Sequence, residues 1–233
     1  GDVKSTYGTG CFMIVNTGEE AIYSENRLLT TIGYKINGKT AFALEGSIFV
    51  AGSAVQWLRD GLGMFEDSFE TEALSKAADE DSKVLVVPAL TGLGAPYWDA
   101  EARGAIFGLT RDTGKEEITK ATLESIVFQS KDLVEAMKAD NASFQNLMID
   151  GGMVTNDWFC QKLSNVLEVK VKRPEIIETT SLGAAFLAGL SSGIFEDFES
   201  LNKSKKIEKT FVSREEDHHR YLEWKEAVKK VLT

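Results

Sequence analysis

Three short motifs combine glycine with polar side chains in arrangements suited to holding a phosphate or a nucleoside. In the first, Thr9 lies between Gly8 and Gly10, just before an apolar run. Glycine adopts positive φ without strain, so such a turn can direct successive N–H groups at one point, and the threonine adds a hydroxyl. Glycines before a strand more often form a plain tight turn. Spacing alone therefore leaves both interpretations open and favours the plain turn.

The second motif begins a helix. Gly52 precedes Ser53, which is a suitable N-cap for a helix expected over residues 53–62, and Gln56 falls in its first turn. A helix N-terminus presents unpaired N–H groups and a partial positive charge, which suit a phosphate or the polar edge of a nucleoside. An ordinary capped helix with an exposed Gln56 explains the same residues, and taken alone this simpler interpretation is favoured.

The third motif is an apolar strand, residues 147–150, that runs into Gly151 and Gly152 before a helix begins near Asn156. Nucleotides bind at such carboxyl ends of sheet strands, and glycines let a flat base or a ribose approach the backbone. The motif is not a Walker loop, which needs Gly-Lys-Ser/Thr, and it lacks the G-x-G-x-x-G spacing of a dinucleotide site. Asn156 could cap the helix, contact a ligand, or do both.

The elements that must position these motifs alternate between strand and helix. Strand-like runs begin at Cys11 and Thr40, and an unalternating apolar run at Val84 reads as a buried strand. Later strand–helix pairs follow, and the longest helix is expected over residues 116–138, with a capping box at Thr113 and Glu116. Early antiparallel and later parallel strands predict an α/β fold with a mixed sheet flanked by helices.

Two further segments are rich in glycine and alanine. The helix expected over residues 181–193 carries small residues at Gly183, Ala184, Ala185, Ala188 and Gly189. Small side chains permit close approach of a neighbour, so we expect this helix to be tightly packed. The Gly-rich segment 91–114 is long for a loop of a compact domain, and such loops are usually functional.

Composition excludes several classes of function. The net charge is −10, from 26 basic and 36 acidic residues, so an acidic surface would repel nucleic acid. No apolar run is long enough to span a membrane, and the first residues do not resemble a signal peptide. The two cysteines lie far apart in apolar surroundings, as expected of buried thiols in a reducing cytoplasm. Neither they nor the two histidines show metal-site spacing, so we expect no metal held by this chain alone.

Taken together and in order, the motifs resemble the carboxy-terminal half of the FGGY carbohydrate kinases. The resemblance rests on TYGTGCF, LEGSIFVAGSAVQWLRD, PALTGLGAPYWD, ARGAIFGLTR, DGGMVTN and LGAAFLAG, and residues 104–124 match the family's second signature pattern. These segments cover nearly the whole chain. TYGTGCF and TGLGAPYWD are most similar to the members of the family that phosphorylate glycerol.

The resemblance implies a ribonuclease H-like fold of the actin-like ATPase type, in which two lobes close on ATP, with residues 1–233 forming the second lobe. It implies six nucleotide-binding residues and one acceptor-binding residue, respectively Thr9, Gly10, Gly52, Gln56, Gly152 and Asn156, and Phe12. Thr9 would lie near the terminal phosphates. Gly52 and Gln56 would contribute to the nucleotide site, Gly152 and Asn156 would line the adenosine, and Phe12 would pack on the carbon face of glycerol.

The sequence departs from the family pattern in one respect. Family members use an aspartate upstream of the Gly-Thr-Gly turn to accept the hydroxyl proton, with Mg²⁺ on the phosphates. This sequence starts at Gly1 and lacks that aspartate, and Asp99 and Asp150 are given no catalytic role. We therefore expect a chain that is inactive by itself, from a cytoplasmic and homo-oligomeric parent enzyme whose ligands are ATP, ADP, Mg²⁺ and glycerol.

Two other functions stay open. A kinase for a larger polyol or a ketose would share the family motifs, although a ring at Phe12 beside the acceptor leaves room for a small triol more easily than for a sugar. A non-catalytic actin-like scaffold would bind ATP and assemble without forming a phosphorylated product. Fold alone does not fix function, and the two long loops argue against the scaffold.

Overall fold

The computed structural model describes residues 3–142, 144–197, 200–201, 206–214 and 218–233. In this part of the chain the strands, in order, are β1 Val3–Tyr7, β2 Cys11–Gly18, β3 Leu29–Ile36, β4 Lys39–Ile48, β5 Leu85–Val87, β6 Ala105–Phe107, β7 Asn146–Asp150, β8 Lys170–Pro174 and β9 Ile207–Phe211. Seven of them form one sheet in the order β3-β4-β2-β1-β7-β8-β9, and β5 pairs with β6 in a separate ribbon.

Strand β1 is where the two halves of the sheet meet. It runs antiparallel to β2, with Tyr7 opposite Cys11, and parallel to β7, with Thr6 opposite Asp150. The β2, β3 and β4 pairings are antiparallel and the β7–β8 pairing is parallel, so the expected mixed sheet is confirmed. Because β1 and β7 are parallel neighbours in register, the turns that follow their carboxyl ends lie side by side.

The helices lie between and after these strands in the chain. They are α1 Gly52–Gln56, which continues as a π-helical turn over Trp57–Gly61, α2 Glu70–Ala77, α3 Lys115–Ala139, α4 Asp157–Leu167, α5 Thr179–Ser191 and α6 His218–Lys229, with a 3₁₀ turn over Gly152–Thr155. The long helix expected over residues 116–138 is confirmed as α3. Within the described ranges, no helix combines the length and apolarity that crossing a bilayer requires.

The start of α3 differs from the expectation by one residue. The carboxylate of Glu117, and not that of Glu116, accepts a hydrogen bond of 2.8 Å from the Gly114 N–H. The Thr113 hydroxyl instead accepts the N–H of Thr110 at 2.9 Å. The predicted capping box is therefore wrong in its residues, because the glycine, which needs no side chain for this contact, takes the N-cap position.

The core lies between the sheet and helices α3 and α4. Successive side chains of a strand point to opposite faces, and on β2 the side chains of Cys11 and Met13 are buried while those of Phe12 and Ile14 are exposed. Helices α3 and α4 contact the buried face. The exposure of Phe12 and Ile14 shows that the described residues leave the opposite face of β2 uncovered.

The expectation that α5 is tightly packed is wrong for most of its small residues. Ala184, Ala185 and Ala188 are exposed, and a Cβ built on Gly183 would meet no atom within 4 Å. Only Gly189 is closely packed, since a Cβ there would lie 2.4 Å from the ring of Phe195. The small residues give α5 a low-relief apolar surface that no helix in the described part of the chain covers.

A buried ion pair fastens α6 to the rest of the fold. The Arg220 guanidinium lies 2.5 Å from the carboxylate of Glu124, which is only 1% exposed, and also donates to the carbonyls of Ser82 and Val84 at 2.8 and 2.7 Å. Lys162 approaches the other Glu124 oxygen at 3.2 Å. Arg220 thus links three segments that are far apart in sequence.

We expect Arg220→Met to lower the free energy of unfolding by about 3 kcal/mol, because it removes one partner of a buried ion pair and leaves the Glu124 carboxylate undercompensated. Urea denaturation followed by circular dichroism measures the change. The matched control is Arg111→Met at an exposed arginine, for which we expect a change within about 0.5 kcal/mol. Equal effects of the two substitutions would contradict the role given to Arg220.

Candidate functional site

The turn between β1 and β2, residues 8–10, is hydrogen-bonded to the start of α1. The Thr9 carbonyl accepts hydrogen bonds from the N–H groups of Ala51 and Ser53, both at 3.0 Å, and from the Ser53 hydroxyl at 2.9 Å. The Gly8 carbonyl accepts the N–H of Gly52 at 2.8 Å. The first amides of α1 therefore bind protein carbonyls.

This arrangement corrects two expectations about the second motif. Ser53 does not cap the helix, because Ala51 occupies the N-cap position without a side-chain cap and the Ser53 hydroxyl is turned to Thr9. The N–H groups at this helix start are also not free to bind a phosphate, because the Gly8 and Thr9 carbonyls already accept their hydrogen bonds. A Cβ on Gly52 would lie 2.5 Å from the Gly8 oxygen. Gly52 is thus required for the close contact between helix and turn.

The turn itself presents unsatisfied donors on its outer side. Within the described residues, the backbone N–H groups of Thr9 and Gly10 and the Thr9 hydroxyl have no hydrogen-bond partner, and Thr9 is exposed. Successive backbone N–H groups in a turn form a concavity that binds anions. Gly10 is needed for a steric reason as well, because a Cβ there would lie 2.6 Å from the Ile48 oxygen.

Beside this turn lies a cleft of about 450 Å³. Five of the six predicted nucleotide-binding residues line it, namely Thr9, Gly52, Gln56, Gly152 and Asn156. Gly10 lies just outside, in the same turn as Thr9. The three motifs, which are separated by more than 40 residues each in the sequence, are therefore brought to one cavity, while their contacts with a ligand stay a prediction.

The two glycines after β7 serve different purposes. Gly151 has φ of 92°, and a Cβ there would lie 2.4 Å from the Tyr7 oxygen, so no other residue fits without displacing β1. A Cβ on Gly152 would meet nothing within 4 Å. Gly151 fixes the backbone, whereas Gly152 leaves open space at the wall of the cleft.

Asn156 acts as a cap and as a tie between helices. Its side-chain oxygen accepts the N–H of Phe159 at 2.9 Å, which caps α4, and its amide nitrogen lies 3.2 Å from the Thr71 hydroxyl of α2. Gln56 behaves differently, because it is exposed and its amide has no partner among the described residues. Of the two, Gln56 has the larger unused hydrogen-bonding capacity.

Carboxylates are scarce in the cleft. Among the described residues that line it, Glu72 is the only acid, and it accepts the N–H of Asp157 at 3.0 Å and pairs with Lys76 at 2.5 Å. Asp150 is buried outside the cleft, where it pairs with Lys4 at 2.9 Å and accepts the Thr179 hydroxyl. Among the described residues that line the cleft, no carboxylate therefore has a free oxygen, and Asp150, one of whose oxygens lacks a hydrogen-bond partner, lies outside it.

The other titratable groups near the turn are buried and neutral. The ring of Tyr7 is fully buried and its hydroxyl lies 2.9 Å from the Ser130 hydroxyl; burial raises the pKa of Tyr7 well above its ordinary value. Burial likewise raises the pKa of Cys11 to about 12 and that of Cys160 to about 12. Both thiols are buried, as expected, and neither is a thiolate nucleophile at neutral pH.

Phe12, the predicted acceptor residue, does not line the cleft. Its side chain is 51% exposed on the uncovered face of β2. It follows Gly10 by two residues and so lies on the strand that leaves the turn of residues 8–10. Its contact with an acceptor stays a prediction.

Sequence reasoning missed the far wall of the cleft, which comes from the end of α1 and the start of α2. The residues concerned are Arg59, Ser68, Phe69, Thr71 and Glu72. The acidic stretch of residues 66–83 indicates short helices and solvated charge, and it gives no sign of a ligand site. A hydrogen bond between Thr71 and Asn156, 85 residues apart, brings the stretch to the cleft, and no local pattern reports such a contact.

The segment 91–114, expected to be a loop, contains β6 and is therefore not a loop over its whole length. The Ala95 N–H donates to the Ser47 carbonyl at 2.9 Å, and a Cβ on Gly94 would lie 2.2 Å from the same oxygen. None of its residues lines the cleft. Arg103 and Gly104 line a second, smaller cavity of about 240 Å³.

Comparison with known proteins gives consistent results. The model of the FGGY family of carbohydrate kinases, C-terminal domain, matches residues 3–192. A glycerol kinase of Alteromonas mediterranea is 56% identical over 99% of this chain and 47% of its own length, and one from a Marinomonas species is 55% identical over 100% and 48%. The chain thus spans about half the length of the curated relatives it matches.

Solved structures agree with the sequence comparison. A structure of Plasmodium falciparum glycerol kinase with ADP is 38% identical and superposes with a TM-score of 0.89 over 99% of this chain and 47% of that protein. A xylulose kinase of Lactobacillus acidophilus has a TM-score of 0.79 at 21% identity over 99% of this chain and 46% of its own. The second likeness bears on the fold alone.

The two glycines of the cleft wall give opposite predictions. We expect Gly52→Ala to lower the free energy of unfolding by about 2 kcal/mol, because its Cβ overlaps the Gly8 oxygen. We expect Gly152→Ala to change it by less than about 0.5 kcal/mol, because its Cβ enters open space. Urea denaturation of both variants measures the difference. A Gly152→Ala variant as unstable as Gly52→Ala would show that the wall is packed differently.

Proposed function

Because the chain belongs to the FGGY family of carbohydrate kinases, we propose that it is the nucleotide-binding lobe of an ATP-dependent glycerol kinase. The observation that carries the proposal is the turn of residues 8–10, with unpaired donors on Thr9 and Gly10, at one end of a cleft of about 450 Å³. The reaction would transfer the terminal phosphoryl group of ATP to glycerol and give sn-glycerol 3-phosphate and ADP.

The cleft suggests an orientation for the nucleotide. The phosphates would lie at the turn, where two N–H groups and a hydroxyl satisfy negatively charged oxygens, and the adenosine would lie towards Gly152 and Asn156. Gln56, with its unpaired amide, would contact the nucleotide between these ends. The likeness to a glycerol kinase whose structure contains ADP supports nucleotide binding by the same lobe.

Residues outside these 233 would complete the reaction. The described cleft offers no free carboxylate beside Thr9, so we propose that a second lobe supplies the general base and the ligands that hold Mg²⁺ on the phosphates. When bound, the metal would neutralise charge on the transferred phosphoryl group. The uncovered face that carries Phe12 and Ile14, and the exposed small residues of α5, support residues 1–233 being one lobe that packs against another.

Glycerol is the favoured acceptor among the polyols and sugars that the family uses. The relatives that match at 50–56% identity are glycerol kinases, whereas the xylulose and gluconate kinases reach only 21%. Phe12, exposed beside the turn, would pack on the carbon face of this small triol. A non-catalytic scaffold is not favoured, and the expected homo-oligomer stays a prediction for sedimentation analysis of the whole enzyme.

Thr9 gives the direct test of nucleotide binding. We expect the 233-residue chain to bind Mg-ADP in isothermal titration calorimetry, and we expect Thr9→Val to weaken binding about tenfold, because a hydrogen bond to a charged phosphate is lost. Valine matches threonine in shape, and the hydroxyl has no protein partner among the described residues, so the fold should persist. Thr9→Ser keeps the hydroxyl and is the control. Equal affinity of Thr9→Val and the unaltered chain would exclude a phosphate contact by this side chain.

The proposal that another lobe supplies the base predicts that the chain alone forms no glycerol 3-phosphate from ATP and glycerol. A coupled assay of ADP release, with product identified by mass spectrometry, measures this. The positive control is the same chain joined to the amino-terminal half of a glycerol kinase relative. Turnover by the chain alone at the roughly 1–100 s⁻¹ typical of kinases would contradict the division of the site between two lobes.

A further inference from the structure

Phe69 is a large aromatic residue at the mouth of the cleft that the motifs do not include. It is 73% exposed, it precedes α2, and it lines the cleft. A single exposed hydrophobic side chain needs no explanation by itself. The setting of Phe69 is what suggests a role, because its backbone is fixed by hydrogen bonds and the cleft that it lines has open space beside Gly152.

Hydrogen bonds hold the turn that carries Phe69. The Glu70 carboxylate accepts the N–H groups of Glu66 and Asp67, both at 2.9 Å, and the Asp67 carboxylate accepts the N–H of Phe69 at 2.9 Å. The bond from the Asp67 N–H, followed by that from Glu66, holds the pKa of Glu70 below its ordinary value. The aromatic ring is therefore presented on a defined turn.

The turn is docked on the helix that follows the cleft glycines. Thr71 accepts the side-chain amide of Asn156 at 3.2 Å, and Glu72 accepts the N–H of Asp157 at 3.0 Å. Phe69 and Gly152 both line the cleft, and these two bonds hold together the segments that carry them. The open space beside Gly152 leaves room there for a flat group.

Among the described residues that line the cleft, the other aromatic or guanidinium side chains, Tyr7 and Arg59, are engaged in contacts within the protein. Tyr7, the other aromatic residue lining the cleft, is fully buried and packs edge-to-face on Phe159 with ring centroids 5.2 Å apart. The Arg59 guanidinium is held by Asp60 through bonds of 2.7 and 3.0 Å. Phe69 has an accessible ring face and no competing partner among the described residues.

We infer that Phe69 is the stacking surface for the nucleobase and gives the site a preference for purine over pyrimidine nucleotides. The inference rests on the proposed function, since it concerns the same nucleotide. Stacking on an aromatic side chain tolerates any base, because every base has a π face. A two-ring purine covers more of the Phe69 ring than a one-ring pyrimidine, so the gain should be larger for ADP than for CDP.

The test compares variants and ligands of the 233-residue chain by calorimetry, with Mg-ADP, Mg-CDP and magnesium tripolyphosphate as probes. We expect Phe69→Ala to weaken ADP binding about tenfold, to weaken CDP binding about twofold to threefold, and to leave tripolyphosphate binding unchanged. Gly152→Ala, which adds a methyl group to the opposite wall, should weaken ADP but not tripolyphosphate. The matched control is Tyr23→Ala, at an aromatic residue that is 81% exposed and outside the cleft.

Phe69→Trp adds a spectroscopic readout. We expect ADP to quench the fluorescence that this tryptophan adds to that of the unaltered chain, and tripolyphosphate to leave it unchanged. Phe69→Leu keeps an apolar side chain but removes the ring, so its ADP affinity should fall between those of the unaltered chain and Phe69→Ala. These two variants keep the test decisive if Phe69→Ala fails to fold.

The outcomes separate the inference from the proposed function. If the unaltered chain binds ADP and Phe69→Ala binds it equally well, the stacking role is overturned while the nucleotide site stands. If Phe69→Ala weakens ADP, CDP and tripolyphosphate alike, Phe69 acts only on the shape of the cleft, and the inference is wrong. If the unaltered chain binds no ADP, the proposed function fails and the inference fails with it.

Discussion

The site depends on where the backbone carbonyl of Thr9 points. It accepts two N–H groups and one hydroxyl from the start of α1, and the Gly8 carbonyl accepts a further N–H from Gly52. With the Gly8 and Thr9 carbonyls turned to α1, the turn leaves the N–H groups of Thr9 and Gly10 and the Thr9 hydroxyl without a partner among the described residues. The helix start thus orients a loop, and this is a different use of its amides from direct anion binding.

The sheet supplies the second constraint. Because β1 runs parallel to β7, the Thr9 turn and the Gly151–Gly152 turn emerge at the same edge. Their contact is close enough that a Cβ on Gly151 would overlap the Tyr7 carbonyl, so one glycine keeps two strand ends together and the next leaves the cleft open. Asn156 then ties α4 to α2 through Thr71 and closes the far wall. The near wall of the cleft is thus fixed by backbone contacts, and the far wall by hydrogen bonds of the Asn156 and Glu72 side chains.

The local sequence pattern predicts much of this fold but little of the far wall of the cleft. The apolar runs at β2 and β4, the long α3 and the mixed sheet follow from periodicity, whereas β1, β3 and β9 were not predicted because their mixed composition gives no clear alternation. Ser53 has the residue type of an N-cap, yet a contact with Thr9, 44 residues away, determines its hydroxyl's partner. The place of Phe69 depends on the contact between α2 and α4, whose residues Thr71 and Asn156 are 85 apart in the sequence. Tertiary contacts of this kind leave no trace in a single sequence.

The turn of residues 8–10 lies between the cleft residues and strand β2, which carries Phe12. The cleft lies on one side of it, and Phe12, on the uncovered face of β2, lies two residues beyond its end. The register of the strands places two carboxylates on that same face, because Phe12 lies opposite Thr6, Thr6 lies opposite Asp150, and Ile14 lies opposite Glu45. Asp150 is buried and is held by Lys4 and Thr179, so Glu45 is the more accessible of the two. The lack of a free carboxylate therefore holds for the described residues of the cleft, where Glu72 is already bonded, and not for the face that carries Phe12.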